Sequence, residues 1–138
     1  MFKDFIKLVR EDFAAYDREW TRPGLQALFA NRLGNWARTI KSRVLRAPVA
    51  LVSKTIHIFA RNFYGIELPV NVKVGRRVFI EHQGGIIIHG NSVIGDDCTI
   101  RQGVTLGIRP MTALSEAPVL GVGVNVGTHV NISNTTPI

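Results

Sequence analysis

The sequence holds one cysteine, Cys98, among 138 residues. A lone thiol builds no intramolecular disulfide framework and cannot by itself make a thiolate metal site, so a reducing compartment, the cytoplasm, is expected. Long apolar runs are missing too. None approaches the ~18 residues that span a bilayer, and Lys3, Asp4, Lys7, Arg10, Glu11 and Asp12 break any secretory-leader core at the N-terminus. There is no H-x-x-x-H pair. Of the histidines only His82 and His89 are close in sequence, without a cysteine or carboxylate set around them, and this argues against zinc. Gly121, Gly123 and Gly127 are spaced G-x-G-x-x-x-G, which is not the dinucleotide fingerprint, and neither Ser53 nor Ser115 has a nucleophile-elbow context.

What is present is ordinary globular composition, 46% hydrophobic and 20% charged, in a chain of about one domain's length. The formal net charge of +7 attracts anions generally without choosing among them. Most of that excess precedes residue 78; only Arg101 and Arg109 follow it. No aromatic-basic recognition motif accompanies the charge, so nucleic acid is not an expected partner.

From Phe2 to about Tyr64, apolar residues recur every three or four positions, as in Phe2, Phe5, Ile6, Val9 and Phe13. That spacing predicts amphipathic helices. Asp17 to Pro23 reads as a connection, with Thr21 as a capping hydroxyl and Pro23 in the first turn of a second helix ending near Thr39. Pro48 predicts a kink or a short break in the next helix. Beyond it, Val49, Val52, Ile56, Phe59, Ala60 and Phe63 form a stripe suited to core or subunit contact, with a membrane surface the lesser alternative, closed by Gly65.

The texture changes at Ile66, where β-branched residues and glycines replace the helical spacing. Positions Val72, Val78, Ile86, Ser92, Cys98, Val104, Pro118, Val124 and Val130 are each followed two residues later by an aliphatic. Gly75, Gly95, Gly107, Gly121 and Gly127 come next, at corners where a side chain would obstruct. Six-residue rungs of this kind predict a parallel β-helix of about three triangular coils. The domain reading is therefore a helical region, 1–65, and a hexapeptide-repeat body, 66–138. Two interruptions stand out: the Gly84-Gly85 pair and a loop at 108–117.

The first interruption contains Glu81-His82-Gln83-Gly84-Gly85. An imidazole near its free pKa of about 6.5 can take a proton from an alcohol attacking a thioester, which makes His82 the candidate base. His57 lies on the helical stripe as a structural residue, His89 sits at a glycine-type corner, and His129 lies near the start of the last rung. Cys98 is read as a small core residue.

The segment IELPVNVKVGRRVFIEHQGGIIIHGNSVIGDDCTIRQGVTLG, Ile66 to Gly107, resembles the serine acetyltransferase family, including relatives in exopolysaccharide gene clusters. RPGLQALFANRLGNW, Arg22 to Trp36, is similar to that family's helical region. The resemblance implies an α+β chain whose helical head is followed by a left-handed parallel β-helix, assembled as a homotrimer or a dimer of trimers. It implies acetyl transfer from acetyl-coenzyme A to a hydroxyl, that of L-serine first, without a metal. Carried over by position, His82 becomes the base and Glu81 the acid that holds the acceptor. Gly107 and Ile108 line the coenzyme channel, with Thr128 a further contact at a later corner. The family's Arg-His pair before the restarting proline is replaced here by Glu116-Ala117 ahead of Pro118, and Arg109 is expected to supply the missing charge to the acceptor. That change also admits a sugar or polysaccharide precursor as acceptor. The chain's end, directly after a regular rung, admits an inactive assembly partner.

Overall fold

The computed structural model describes residues 2–108 and 117–133. Three helices lead: α1 (Phe2–Ala15), α2 (Pro23–Ala37) and α3 (Arg43–Phe59), the last continued by a single π-helical turn, Ala60–Tyr64. Gly65 ends that turn in the left-handed region, φ 67°, as its sequence position predicts. Two helix expectations are corrected. Arg22, not Thr21, is the N-cap of α2 and makes no side-chain cap, because the Thr21 hydroxyl donates instead to Glu19 at 2.9 Å. Of the kink or break expected at Pro48, the break does not occur: Pro48 lies inside α3, where in the second turn it forfeits one bond, and Ser42 still caps the start through Leu45. Helix α2 ends at Ala37, short of Thr39.

Ten short strands follow: β1 (Ile66–Glu67), β2 (Lys73–Val74), β3 (Phe79–Glu81), β4 (Ile86–Ile88), β5 (Val93–Ile94), β6 (Thr99–Arg101), β7 (Thr105–Gly107), β8 (Val119–Leu120), β9 (Asn125–Val126) and β10 (Asn131–Ser133). They form three parallel sheets, ordered β1-β4-β7-β10, β2-β5-β8 and β3-β6-β9. Every third strand pairs, so the chain winds as a triangular prism with one strand per face in each coil. The hexapeptide count reaches nine of these strands and misses β1, whose Ile66 stacks on Ile86. Stacked residues are 18 apart where Ile87 meets Thr105. They are 20 apart where Phe79 meets Thr99 across the Gly84-Gly85 pair, and 26 apart where Val93 meets Val119 across the loop.

Two residues per rung turn inward, the starting position and the aliphatic two places on. Val78, Ile80, Ile86, Ile88, Cys98, Ile100, Val104 and Leu106 are all buried. At Gly75 and Gly95 a side chain would obstruct, as the spacing suggests, and the obstacle is the neighbouring coil. Gly75 and Gly95 are not left-handed; a Cβ on Gly95 would lie 2.7 Å from Gly121 in the next coil, so they are needed where coils stack closely.

Helix α2 closes the first coil. The Tyr16 hydroxyl donates to Ile80 O at 3.0 Å and accepts from Ile80 N at 2.7 Å, while Asn31 Nδ2 donates to Pro69 O and Val72 O. Buried Arg32 bonds Asp12 on α1 through Nε at 2.9 Å and Nη2 at 3.2 Å. Its guanidinium also donates to Val74 O and Gly75 O, each at 2.7 Å. One continuous core joins Tyr16, Leu25 and Leu28 of the helical part to the interior of the prism.

Candidate functional site

The three corners of the prism recur from coil to coil. The first follows β1, β4 and β7, the second follows β2, β5 and β8, and the third follows β3, β6 and β9. His82 stands on the third corner. Gly84 and Gly85 add two residues to this turn, where φ is 71° at His82, 103° at Gly84 and 65° at Gly85. A non-glycine residue held left-handed is costly, and the corners repeat that cost at Arg77, Asp97 and His129 as well as at His82. The His82 side chain is 60% exposed, with Nε2 3.7 Å from Glu81 Oε1.

Glu81 is fixed from the next coil. Register places Arg101 directly over it, and Arg101 Nε lies 3.0 Å from Glu81 Oε2. Arg101 is in turn held by Asn125 and by Val126 O at 3.4 Å. One carboxylate oxygen is thus tied down, and the other faces the imidazole. Sequence reading missed Arg101 and Asn125; aligning successive coils by register is the signal that finds them.

The same corner carries Gln102, Gly103, Thr128 and His129 in later coils. Gly103 N donates to Gly84 O at 2.9 Å, and His129 N donates to Gln102 O at 3.0 Å. Gly103, φ 73°, lies under the His129 ring, where a Cβ would come within 2.6 Å of Cδ2. Gln102 Oε1 is buried without a hydrogen-bond partner among the described residues. Of the sequence-predicted set, then, His82, Glu81 and Thr128 share one edge of the prism.

Gly107 and Ile108 do not join them. They end β7 at the first corner, across a full face from His82. A Cβ on Gly107 would meet nothing closer than Thr105 Cγ2 at 3.7 Å, so a thin ligand arm can lie along that backbone. Arg109 and Ser115 fall outside the described residues. The cavity between α1, α2 and the strands of the second sheet, the one between α2 and α3, and the small one beside Trp20 are not lined by His82.

The other candidates resolve into structural roles. His57 sits not on the apolar stripe of α3 but on its opposite side, half-buried, where burial foremost and then Arg61 hold its pKa below the usual imidazole value. His89 Nδ1 accepts from Asn91 N at 3.1 Å. Cys98 is buried, with Sγ 3.0 Å from Gly121 O, and burial raises its thiol pKa. No group of three or more His, Cys, Asp or Glu suited to a metal ion occurs among the described residues. No described helix is long and apolar enough to cross a membrane.

No family model matches the chain. Among curated proteins, the serine acetyltransferase of Mycobacterium tuberculosis is 32% identical over 110 residues, 80% of this chain and 45% of that protein. The serine acetyltransferase of a Synechocystis strain is 31% identical over 137 residues, 96% of this chain and 51% of that protein. The chain therefore spans about half the length of the curated relatives it matches. Among solved structures, the Brucella abortus serine acetyltransferase in complex with coenzyme A superposes with a TM-score of 0.78 at 19% identity, covering 99% of this chain and 56% of that one. The Vibrio cholerae serine acetyltransferase superposes with the same TM-score, 0.78, at 20% identity, over 99% of this chain and 54% of that one. The fold they share with this chain is the helical head and left-handed parallel β-helix that the resemblance implied.

Proposed function

We propose, from the premise that this chain is a homologue of the serine acetyltransferases over most of its length, that it transfers acetyl from acetyl-coenzyme A to the hydroxyl of a small acceptor, L-serine first. The observation that carries the reading is His82, exposed on the corner that Gly84 and Gly85 lengthen and beside a carboxylate that Arg101 locks in place. His82 takes the proton as the acceptor hydroxyl adds to the thioester carbonyl. The tetrahedral oxyanion then collapses, the carbon–sulfur bond breaks, and the imidazolium returns its proton to the departing thiolate. Glu81, with Oε1 unclaimed by Arg101, is the group to hold an ammonium on the acceptor. Gly107, Ile108 and Thr128 are the positions to line the coenzyme arm, and Arg109 is the cation offered to an acceptor carboxylate.

His82 and Gly107 occupy different corners, so a working site needs the third corner of one copy against the first corner of another. A homotrimer supplies three such seams, and trimers can pair further. The cytoplasm is the compartment where acetyl-coenzyme A would be met. A sugar precursor is the alternative acceptor, favoured by Glu116-Ala117 ahead of Pro118.

Thiol release from acetyl-coenzyme A, followed with a chromogenic disulfide, tests the proposal with L-serine and then with nucleotide sugars. Acceptor-dependent release is expected, and His82→Ala should lower it about 10²–10⁴-fold. Release from neither acceptor class leaves only the inactive assembly partner.

A further inference from the structure

Between Glu19 and Glu67 the sequence contains no acidic residue, yet eight lysines and arginines fall in that stretch. Two have carboxylate partners, Arg22 with Glu19 and Arg32 with Asp12. None of the other six is paired with a carboxylate among the described residues. Three of them, Arg38, Arg46 and Lys54, line one cavity of about 440 Å³ between α2, α3 and the residues that follow β1.

This cavity has a rigid back wall and a charged rim. A Cβ on Gly34 would lie 2.6 Å from Ser53 Oγ, which is how closely α2 and α3 approach there, and Ser53 itself donates to Ala30 O at 2.7 Å. Ala37, Ala50, Leu68 and Val70 make the walls apolar. Arg38 is oriented by Asn71, and Arg46 reaches only Ile40 O, at 3.5 Å. Each guanidinium therefore keeps most of its five donors free, and the Lys54 ammonium has no hydrogen-bond or ion-pair partner among the described residues. His57 adds a half-buried imidazole to the lining. No carboxylate is among the lining residues; Glu67 on β1 acts on His57 but does not line the cavity.

We propose that this cavity binds a phosphate-bearing small molecule, its phosphate received by Arg38, Arg46 and Lys54 and its body by the apolar wall. Three cationic residues lining one cavity match a group carrying two or more negative charges; a single carboxylate would leave most of their charge uncompensated. The volume suits a small organic phosphate. The site lies on the first corner, two coils toward the helices from Gly107, and has no part in the proton transfer assigned to His82. A ligand here would bridge α2, α3 and the first coil, so its binding is read directly, without acetyl transfer.

The probe is sodium pyrophosphate, titrated calorimetrically at fixed ionic strength. One saturable site per chain is expected, with a Kd of about 1 mM or tighter. Arg46→Gln with Lys54→Gln should weaken it at least about tenfold. Lys41→Gln with Arg43→Gln, the same charge change outside the cavity, should leave it within about twofold, as expected when screened charges lie off the site. Circular dichroism checks that both variants fold. If the first does not, amide shifts of the unaltered protein decide: changes confined to residues 34–38, 46–57 and 68–71 support the site. Equal weakening in the two variants, shifts spread over the basic surface, or binding only to phosphatidylglycerol vesicles and not to pyrophosphate would each overturn it.

Discussion

His82 and His57, read from the sequence as the candidate base and a structural residue, lie in different surroundings. The first sits on the lengthened corner with its ring 60% exposed. The second is partly withdrawn from water, and its pKa is pushed below the free value of 6.5 by burial first and by Arg61 second, with Glu67 and the Leu68 backbone opposing. A folded state that binds the proton less tightly than the unfolded chain loses stability as protons are added. The contribution of His57 is therefore present above pH 6.5 and is lost as pH falls from there toward its lower folded pKa. Melting temperature should drop between pH 7 and pH 5, and His57→Gln should flatten that part of the profile. An unchanged profile in the variant would assign the loss to other groups.

At the scale of elements, the helices and the prism are joined by a small number of buried polar contacts. Arg32 is the principal one, because a single guanidinium binds α1 through Asp12 and the first turn of the coil through Val74 and Gly75. Burial raises the Asp12 carboxyl pKa, with Arg32 opposing, so the pair is held by geometry against the cost of dehydration. Asp12→Ala leaves that guanidinium without its counter-ion, and a loss of about 3–5 kcal/mol is expected in urea unfolding. Replacing Asp12 and Arg32 together by apolar residues should restore much of it, since no charge is then stranded. A double replacement as damaging as the single one would place the loss elsewhere.

For the whole molecule, the outward side of α3 is the feature a single chain does not account for. Val44, Leu45, Leu51, Val52, Phe59 and Phe63 are all exposed, although their spacing is that of a packed stripe. Ser53 is the one buried residue of α3 and marks the opposite side, against α2. Together with the separation of His82 from Gly107, this favours association of copies. Sedimentation velocity should give a trimer or a multiple of it at micromolar protein, and Leu51→Glu with Val52→Glu should reduce it. A monomer with full acetyl transfer would remove the seam from the proposal.

The six-residue period and the 3.6-residue spacing were legible along the chain because both are local: each follows from which neighbours a backbone can bring to one face. They determined the helical head, the stacked coils and His82 as the residue of interest. Register across coils is not local. Which residue lies over which depends on insertions of two and eight residues taken up at different corners, and only the folded prism revealed Arg101 above Glu81, Gly107 a face away from His82, and three cations gathered around one cavity.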